Sequence, residues 1–315
     1  MKVLFMGTPD FAVPTLEHII DAGHEVTLVV TQPDKVKGRG REVVMTPVKE
    51  CAVKNNIPVF QPVKIKDEES ITTLKKYEFD VIVVVAFGQI LSKEILDMPR
   101  YGCINVHSSL LPAYRGAAPI QWTIIYGEEK TGVSTMYMDE GLDTGDIILQ
   151  EETPIANDET GGSLHDRLSV MGAKLLIKTL ELVKDGNAPR TKQDNSKSNY
   201  VGMLDKSMGE MDFEKEAVTL ERLIRGLNPW PSAFTFIDGK MLKIWEAKVA
   251  VLPDISVDKC KPGMVVKVEK EAFYVMTAKD CLKVTSVQLQ GKKRMDSGSF
   301  LRGFKLSEGV VLGGK

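Results

Sequence analysis

The sequence predicts an α/β protein: a doubly wound, mostly parallel, Rossmann-like sheet followed by a small OB-like β-barrel. Three observations predict it. Continuous apolar runs such as Asp80–Ala86 (DVIVVVA) and Gly102–Val106 (GCINV) recur through the first half, with helical stretches between them. Strands of a parallel sheet covered by helices on both faces read this way. The stretch Asn187–Val201 is polar, contains Pro189 and has few large apolar residues, as a linker does. Beyond it lie short strand-like segments separated by turns, the pattern of a small barrel.

Taken in order, Lys2–Met6 (KVLFM) is a buried strand, Gly7–Asp10 a turn and Phe11–Asp21 a helix, with Pro14 tolerated in its first turn. Gly23 ends that helix, and Glu25–Thr31 is the next strand. Strands follow around Val59, at Asp80–Ala86 and at Gly102–Val106, then at Gly132–Met138 and Ile147–Thr153. Leu164–Val183 is an amphipathic helix. After the polar stretch, Leu220–Leu227 is a short helix ended by Asn228-Pro229-Trp230-Pro231. Strands are then expected at Ala233–Ile237, Met241–Val249, Gly263–Val268, Phe273–Thr277 and Cys281–Leu289. The division that follows is residues 1–189, a linker at 190–206, and 207–315.

The 315 residues suit two domains, and 43% hydrophobic with 27% charged residues argues against disorder. The first strand begins almost at Met1, with no signal-peptide pattern, and the longest apolar run, Val81–Phe87, is too short to span a bilayer. A soluble, cytoplasmic protein is expected. Cys51, Cys103, Cys260 and Cys281 lack metal-like spacing, so they read as buried thiols and no metal is expected. The net charge of -2 is uneven. Residues 206–315 carry 19 Lys and Arg against 14 Asp and Glu, which leaves the remainder acidic. A basic C-terminal part suits a polyanionic partner, although ordinary scatter gives such a balance too.

The first turn, Gly7-Thr8-Pro9-Asp10-Phe11, lacks the G-x-G-x-x-G pattern, and Gly38-Arg39-Gly40 follows the second strand. A nicotinamide oxidoreductase is disfavoured, and the P-loop pattern is absent. A doubly wound sheet binds ligands beyond the carboxyl ends of its strands. There lies Asn105-Val106-His107-Ser108-Ser109-Leu110-Leu111-Pro112. Asn105 and His107 are two apart on one strand, so they share a face. A carboxamide beside an imidazole suits acyl-type chemistry, one donating to an oxyanion and the other moving a proton. A histidine hydrogen-bonded at a strand end is the plainer alternative. The acidic loop Met138–Asp146 adds Asp143, which can orient an imidazole. Asp and Gly also make simple turns, but the EF-hand pattern is not met, and no G-x-S-x-G nucleophile elbow occurs. Nothing besides its position marks Cys103 as a nucleophile.

The N-x-H-x-S-L-L-P run at Asn105–Pro112, with Tyr114-Arg115-Gly116 after it, resembles the signature of 10-formyltetrahydrofolate-dependent formyltransferases. Gly141-Leu142-Asp143-Thr144-Gly145-Asp146 is similar to a second motif of that family. The resemblance implies that the family's catalytic Asn, His and Asp fall on Asn105, His107 and Asp143. It implies formyl transfer from 10-formyltetrahydrofolate, a co-substrate, to an amine, with no metal. Folate contacts are implied at Phe87, Gly88, Gln89, Ile90 and Leu91, at Ser109, Leu110, Leu111 and Pro112, and at Met138, Asp139, Glu140, Gly141 and Leu142. Gln89 and Ser92 depart from the family's pattern, which has an apolar residue and Pro there.

Four features resemble the family members that act on methionyl initiator tRNA in translation initiation. They are Gly7–Ala12, Thr31-Gln32-Pro33-Asp34 leading into Gly38–Arg41, Gly116–Gln121, and a C-terminal part containing Arg225–Pro231. By this resemblance 1–189 is the folate-binding catalytic domain and 207–315 an OB-like tRNA-binding domain. Lys35, Lys37, Arg39 and Arg41 would hold the acceptor stem. No membrane and no obligate protein partner are implied. Relatives acting on a UDP-aminosugar or on glycinamide ribonucleotide are the nearer alternatives. A nucleic-acid-binding module with a degenerate enzyme domain is the more distant one.

Overall fold

A computed structural model of the protein describes residues 1–37, 42–253 and 260–314. The chain divides into two compact units. One comprises Met1–Pro119, Lys130–Pro154 and His165–Val201; the other comprises Ile120–Glu129, Ile155–Leu164 and Gly202–Lys315.

The strands of the first unit are β1 (Lys2–Gly7), β2 (Glu25–Val30), β3 (Lys35–Lys37), β4 (Glu42–Val44), β5 (Val59–Phe60), β6 (Val81–Val85), β7 (Cys103–His107), β8 (Arg115–Gly116), β9 (Lys130–Tyr137), β10 (Ile147–Pro154) and β11 (Tyr200–Val201). Its main sheet has seven strands in the order β10-β9-β7-β6-β1-β2-β5. The five from β7 to β5 run parallel. The other two are antiparallel, β9 against β7 and β10 against β9. The sheet is therefore mixed: mostly parallel, as the sequence predicted, with two antiparallel strands at one edge. Only residues 138–146 join β9 to β10, fewer than the dozen or more that a parallel crossover needs, so a hairpin is forced.

Alternation along each strand divides its side chains between two faces. Leu4, Met6, Leu28, Val30, Ile82, Val84 and Cys103 pack on one face with Ile71 and Leu74 of helix α3 (Glu68–Leu74) and Ile95 of α4 (Lys93–Leu96). The long helix α6 (Gly161–Lys184) covers the other. Thr179 hydrogen-bonds Thr135 of β9 at 2.8 Å, and Val106 and Val133 lie against Gly172. Helix α2 (Pro47–Lys54) is capped by Thr46, whose hydroxyl accepts the Lys49 N–H.

The second unit has a six-stranded antiparallel sheet: β12 (Ala233–Ile237), β13 (Lys240–Ala250), β14 (Val265–Val268), β15 (Phe273–Met276), β16 (Cys281–Leu289) and β17 (Met295–Asp296). The order is β12-β13-β16-β15-β14, with β17 beside β16. In β12 buried and half-buried residues alternate strictly, as for a sheet with one face on a core. Leu242, Ile244, Leu282, Val284 and Val287 supply that core with Leu220 and Ile224 of α7 (Ala217–Gly226) and Phe300 of α8 (Ser297–Gly303). Among the described residues no helix is long and apolar enough to cross a membrane.

Candidate active site

Strand β7 ends at the carboxyl edge of the parallel strands, and its alternation puts Asn105 and His107 on one face. Both are nearly buried, 9% and 7% exposed. His107 Nε2–H donates to the Tyr114 carbonyl at 2.9 Å. In the neutral ring that bond places the proton on Nε2 and leaves the lone pair on Nδ1. Nδ1 lies 3.8 Å from Asp143 Oδ2. This is beyond a direct hydrogen bond, but a water or an amine can reach both atoms at once. Asp143 Oδ2 itself accepts the Gly116 N–H at 2.8 Å. Among the described residues, nothing in the protein hydrogen-bonds the Asn105 carboxamide. Its polar atoms keep contact with solvent, so they are open to a ligand's hydrogen bond.

The Asp143 loop is built from side-chain turns. Asp139 Oδ1 accepts from the Gly141 N–H and the Thr144 hydroxyl, at 3.0 and 2.6 Å. Asp143 has a left-handed backbone, φ 55°, which turns its carboxylate back toward β7. Glu140, Gly141 and Leu142 are exposed, and Leu142 is the apolar side chain of the loop left in solvent. Met138 is half-buried against the α3/α4-side core.

Residues 87–91 approach the same edge from β6. Phe87 and Leu91 turn into the core and are buried. The Phe87 carbonyl accepts from the Thr8 hydroxyl at 3.0 Å and from Gln32 Nε2 at 3.2 Å, tying the ends of β1, β2 and β6 together. Gly88 has a positive φ, and Ile90 is 77% exposed. The Gln89 side chain points away. Its Oε1 accepts the Ile65 N–H at 2.7 Å and its Nε2 donates to the Pro62 carbonyl at 3.2 Å. A polar residue at this position therefore braces the neighbouring loop.

Ser109, Leu110, Leu111 and Pro112 shape the turn after β7. The Ser109 hydroxyl donates to the Ala113 carbonyl, and Ser134 bridges the Ser109 carbonyl and the Leu111 N–H. Ser109 and Leu111 are buried, and Leu110 and Pro112 are half-buried. Cys103, on the same face as Asn105, is 2% exposed, and burial pushes its thiol up to about 12, far from a reactive thiolate.

Lys35 is exposed and Lys37 lies on the same strand, β3, which pairs with β4 as a hairpin. Arg39 and Arg41 fall outside the described residues. Below the hairpin Thr31 and Thr46 hydroxyls meet at 2.8 Å, and Lys49 pairs with Asp34 at 2.5 Å. The hydrogen bond from Lys49, and then that from Gln61, holds the Asp34 carboxyl below its ordinary range. Among the described residues no group of three or more His, Cys, Asp or Glu is arranged to hold a metal ion.

Sequence reasoning quoted Arg115 within a motif without giving it a task, and it overlooked Gln193. Arg115 is 2% exposed and bonds side chains from the stretch expected to be a linker. Only its place between an aromatic and a glycine in the motif hinted at this, and Gln193 carried no signal.

The family model described as formyl transferase matches residues 1–180, and that of the formyl transferase C-terminal domain matches 203–305. The chain belongs to the formyl transferase family. Among formyl transferase relatives, the methionyl-tRNA formyltransferase of Agathobacter rectalis is 59% identical over 309 residues, 98% of each chain. That of Lachnospira eligens is 60% identical over 314 residues, covering 99% of this chain and 100% of its own. The solved structure of a Helicobacter canadensis N-formyltransferase in complex with folinic acid and dTDP-3-aminofucose has a TM-score of 0.66. It is 20% identical and covers 90% of this chain and 98% of its own, so the likeness concerns the formyl transferase fold alone.

Proposed function

We propose that this formyl transferase carries the formyl group of 10-formyltetrahydrofolate to the α-amino group of methionyl initiator tRNA, a cytoplasmic step of translation initiation. The observation that carries the chemistry is the unpartnered, nearly buried Asn105 carboxamide beside His107 and Asp143. The full-length likeness to two proteins named methionyl-tRNA formyltransferase supports the acceptor.

The residues divide the reaction as follows. The amine of an aminoacyl ester is at least as acidic as an α-amino group of pKa about 8, so part of it is neutral at cellular pH. As its nitrogen bonds the formyl carbon, the carbonyl electron pair moves to oxygen, and the Asn105 N–H donates to that oxyanion. His107 Nδ1 takes the proton released by the amine and returns it to the departing folate nitrogen as the old C–N bond breaks. Asp143 stabilises the imidazolium formed between those steps. The folate suits the exposed apolar side chains of Ile90 and Leu142, which would cover a flat ring. The backbone of 87–91 and 138–142 would meet its polar edge.

On the tRNA side, Lys35, Lys37, Arg39 and Arg41 hold acceptor-stem phosphates. Residues 207–315 form an OB-like barrel that adds tRNA affinity, and 1–189 bind the folate. The basic balance of residues 206–315 supports this division.

The test is formyl transfer from 10-formyltetrahydrofolate to methionyl initiator tRNA, a nucleotide-linked amino sugar and glycinamide ribonucleotide. The tRNA is expected to have the highest kcat/KM. Faster transfer to the sugar or to the ribonucleotide would overturn the assignment.

A further inference from the structure

The segment from Gln193 to Val201 lies along the first unit as a strap. β11 pairs in parallel with β8, and the Ala117 N–H donates to the Val201 carbonyl. Asn199 accepts the Tyr114 N–H on its side-chain oxygen at 2.5 Å and the Arg115 N–H on its backbone carbonyl at 3.0 Å. The strap thus fixes Tyr114, whose carbonyl accepts the His107 Nε2–H, and Gly116, whose N–H donates to Asp143.

At the head of the strap Gln193 faces two ways. Its Nε2 donates to the carbonyls of Asp143 and Gly145, at 2.9 and 2.8 Å. Its Oε1 accepts from Arg115 Nε and Nη2, at 3.1 and 2.8 Å. Arg115 gives its other bonds to Asn195 Oδ1 at 2.9 Å and to the Tyr200 hydroxyl at 3.2 Å. Among the described residues no carboxylate pairs with this buried guanidinium. The bonds it makes go to neutral oxygens in a fixed fork, a rigid anchor rather than an ion pair.

We propose that Gln193 is a positioning residue for formyl transfer. Braced by Arg115, it holds the backbone of Asp143 in its left-handed turn so that the carboxylate faces His107. This rests on the site reading above, in which Asp143 serves His107. An amide is required because only it offers donors to the loop and an acceptor to Arg115 at once. Misplacing a reacting group by about 1 Å is enough to cost about 100-fold in rate.

The experiment compares Gln193→Ala, Gln193→Glu and Asp143→Asn in formylation of methionyl initiator tRNA, with 5-formyltetrahydrofolate titrated to count competent chains. Glu keeps the acceptor for Arg115 and loses the donors to the loop, and its matching shape keeps the test open if Ala fails to fold. Both Gln193 variants are expected to bind the folate analogue with full stoichiometry and near-normal KM, while kcat falls about 10- to 100-fold. Wild-type kcat in Gln193→Glu would overturn the clamp, since serving Arg115 would then suffice. A loss of rate matched by a loss of binding stoichiometry would overturn it too, as plain structural damage. Wild-type kcat in Asp143→Asn would instead remove the site reading, and the clamp with it. An inactive Asp143→Asn beside normal Gln193 variants would remove the clamp alone.

Discussion

Asn105 separates chemistry from stability more cleanly than its neighbours, because among the described residues its carboxamide has no hydrogen-bond partner. Truncation to Ala forfeits no internal hydrogen bond, so Asn105→Ala is expected to cost about 1 kcal/mol or less in stability. The loss of one oxyanion donor should nonetheless reduce kcat about 100- to 1000-fold. Thermal melts alongside steady-state rates check this, and a destabilised variant with normal turnover would assign the side chain to packing. Asn105 and His107 were legible in the sequence because strand alternation alone puts them on one face. The directions of other side chains were not. Phe87 and Leu91 stand in a loop whose sequence suits a ligand contact, yet both fill the core. Gln89 is spent on Pro62 and Ile65, which no local pattern could announce. A buried Arg115 looks on paper like any surface arginine, since the oxygens that satisfy it lie about eighty residues on.

At the scale of elements, the apolar runs marked the main-sheet strands to within a residue or two. They carried no direction, which is why the turnabout at β9 emerges only from its short connection to β10. The strap reads like a linker in the sequence for a related reason. Polar residues that bond a neighbouring backbone have the same composition as polar residues facing water. Gly116 makes the strap's contact measurable: its φ is +107°, and an added Cβ would stand 2.3 Å from the Val201 carbonyl oxygen. Gly186 has a φ of +72° and open space around it. Gly186→Ala should therefore cost about 1 kcal/mol, the left-handed penalty alone. Gly116→Ala should cost about 3 kcal/mol and depress formyl transfer. Urea unfolding of both variants is the check, and equal losses would mean that β11 yields freely.

For the whole molecule the relevant quantity is the distribution of charge. An overall charge of -2 would repel a polyanion weakly, but the C-terminal excess of Lys and Arg reverses that locally. The KM for methionyl-tRNA is expected to rise steeply with potassium chloride while the KM for the folate moves little. Each phosphate contact removed should flatten the slope of log affinity against log salt by about 0.7 to 0.9. Arg39→Ala should show one such step without altering folate binding. Unchanged affinity, slope and rate would withdraw Arg39 from the tRNA interface.

The strap also sets a schedule. Gln193 follows Asp143 by 50 residues, so a ribosome at about 5–20 residues per second delivers one several seconds after the other. During that interval Asn105, His107 and Asp143 have all been synthesised, while the carbonyls of Asp143 and Gly145 have only water to bond. A nascent chain thus carries the three side chains before it carries the clamp proposed to set their geometry.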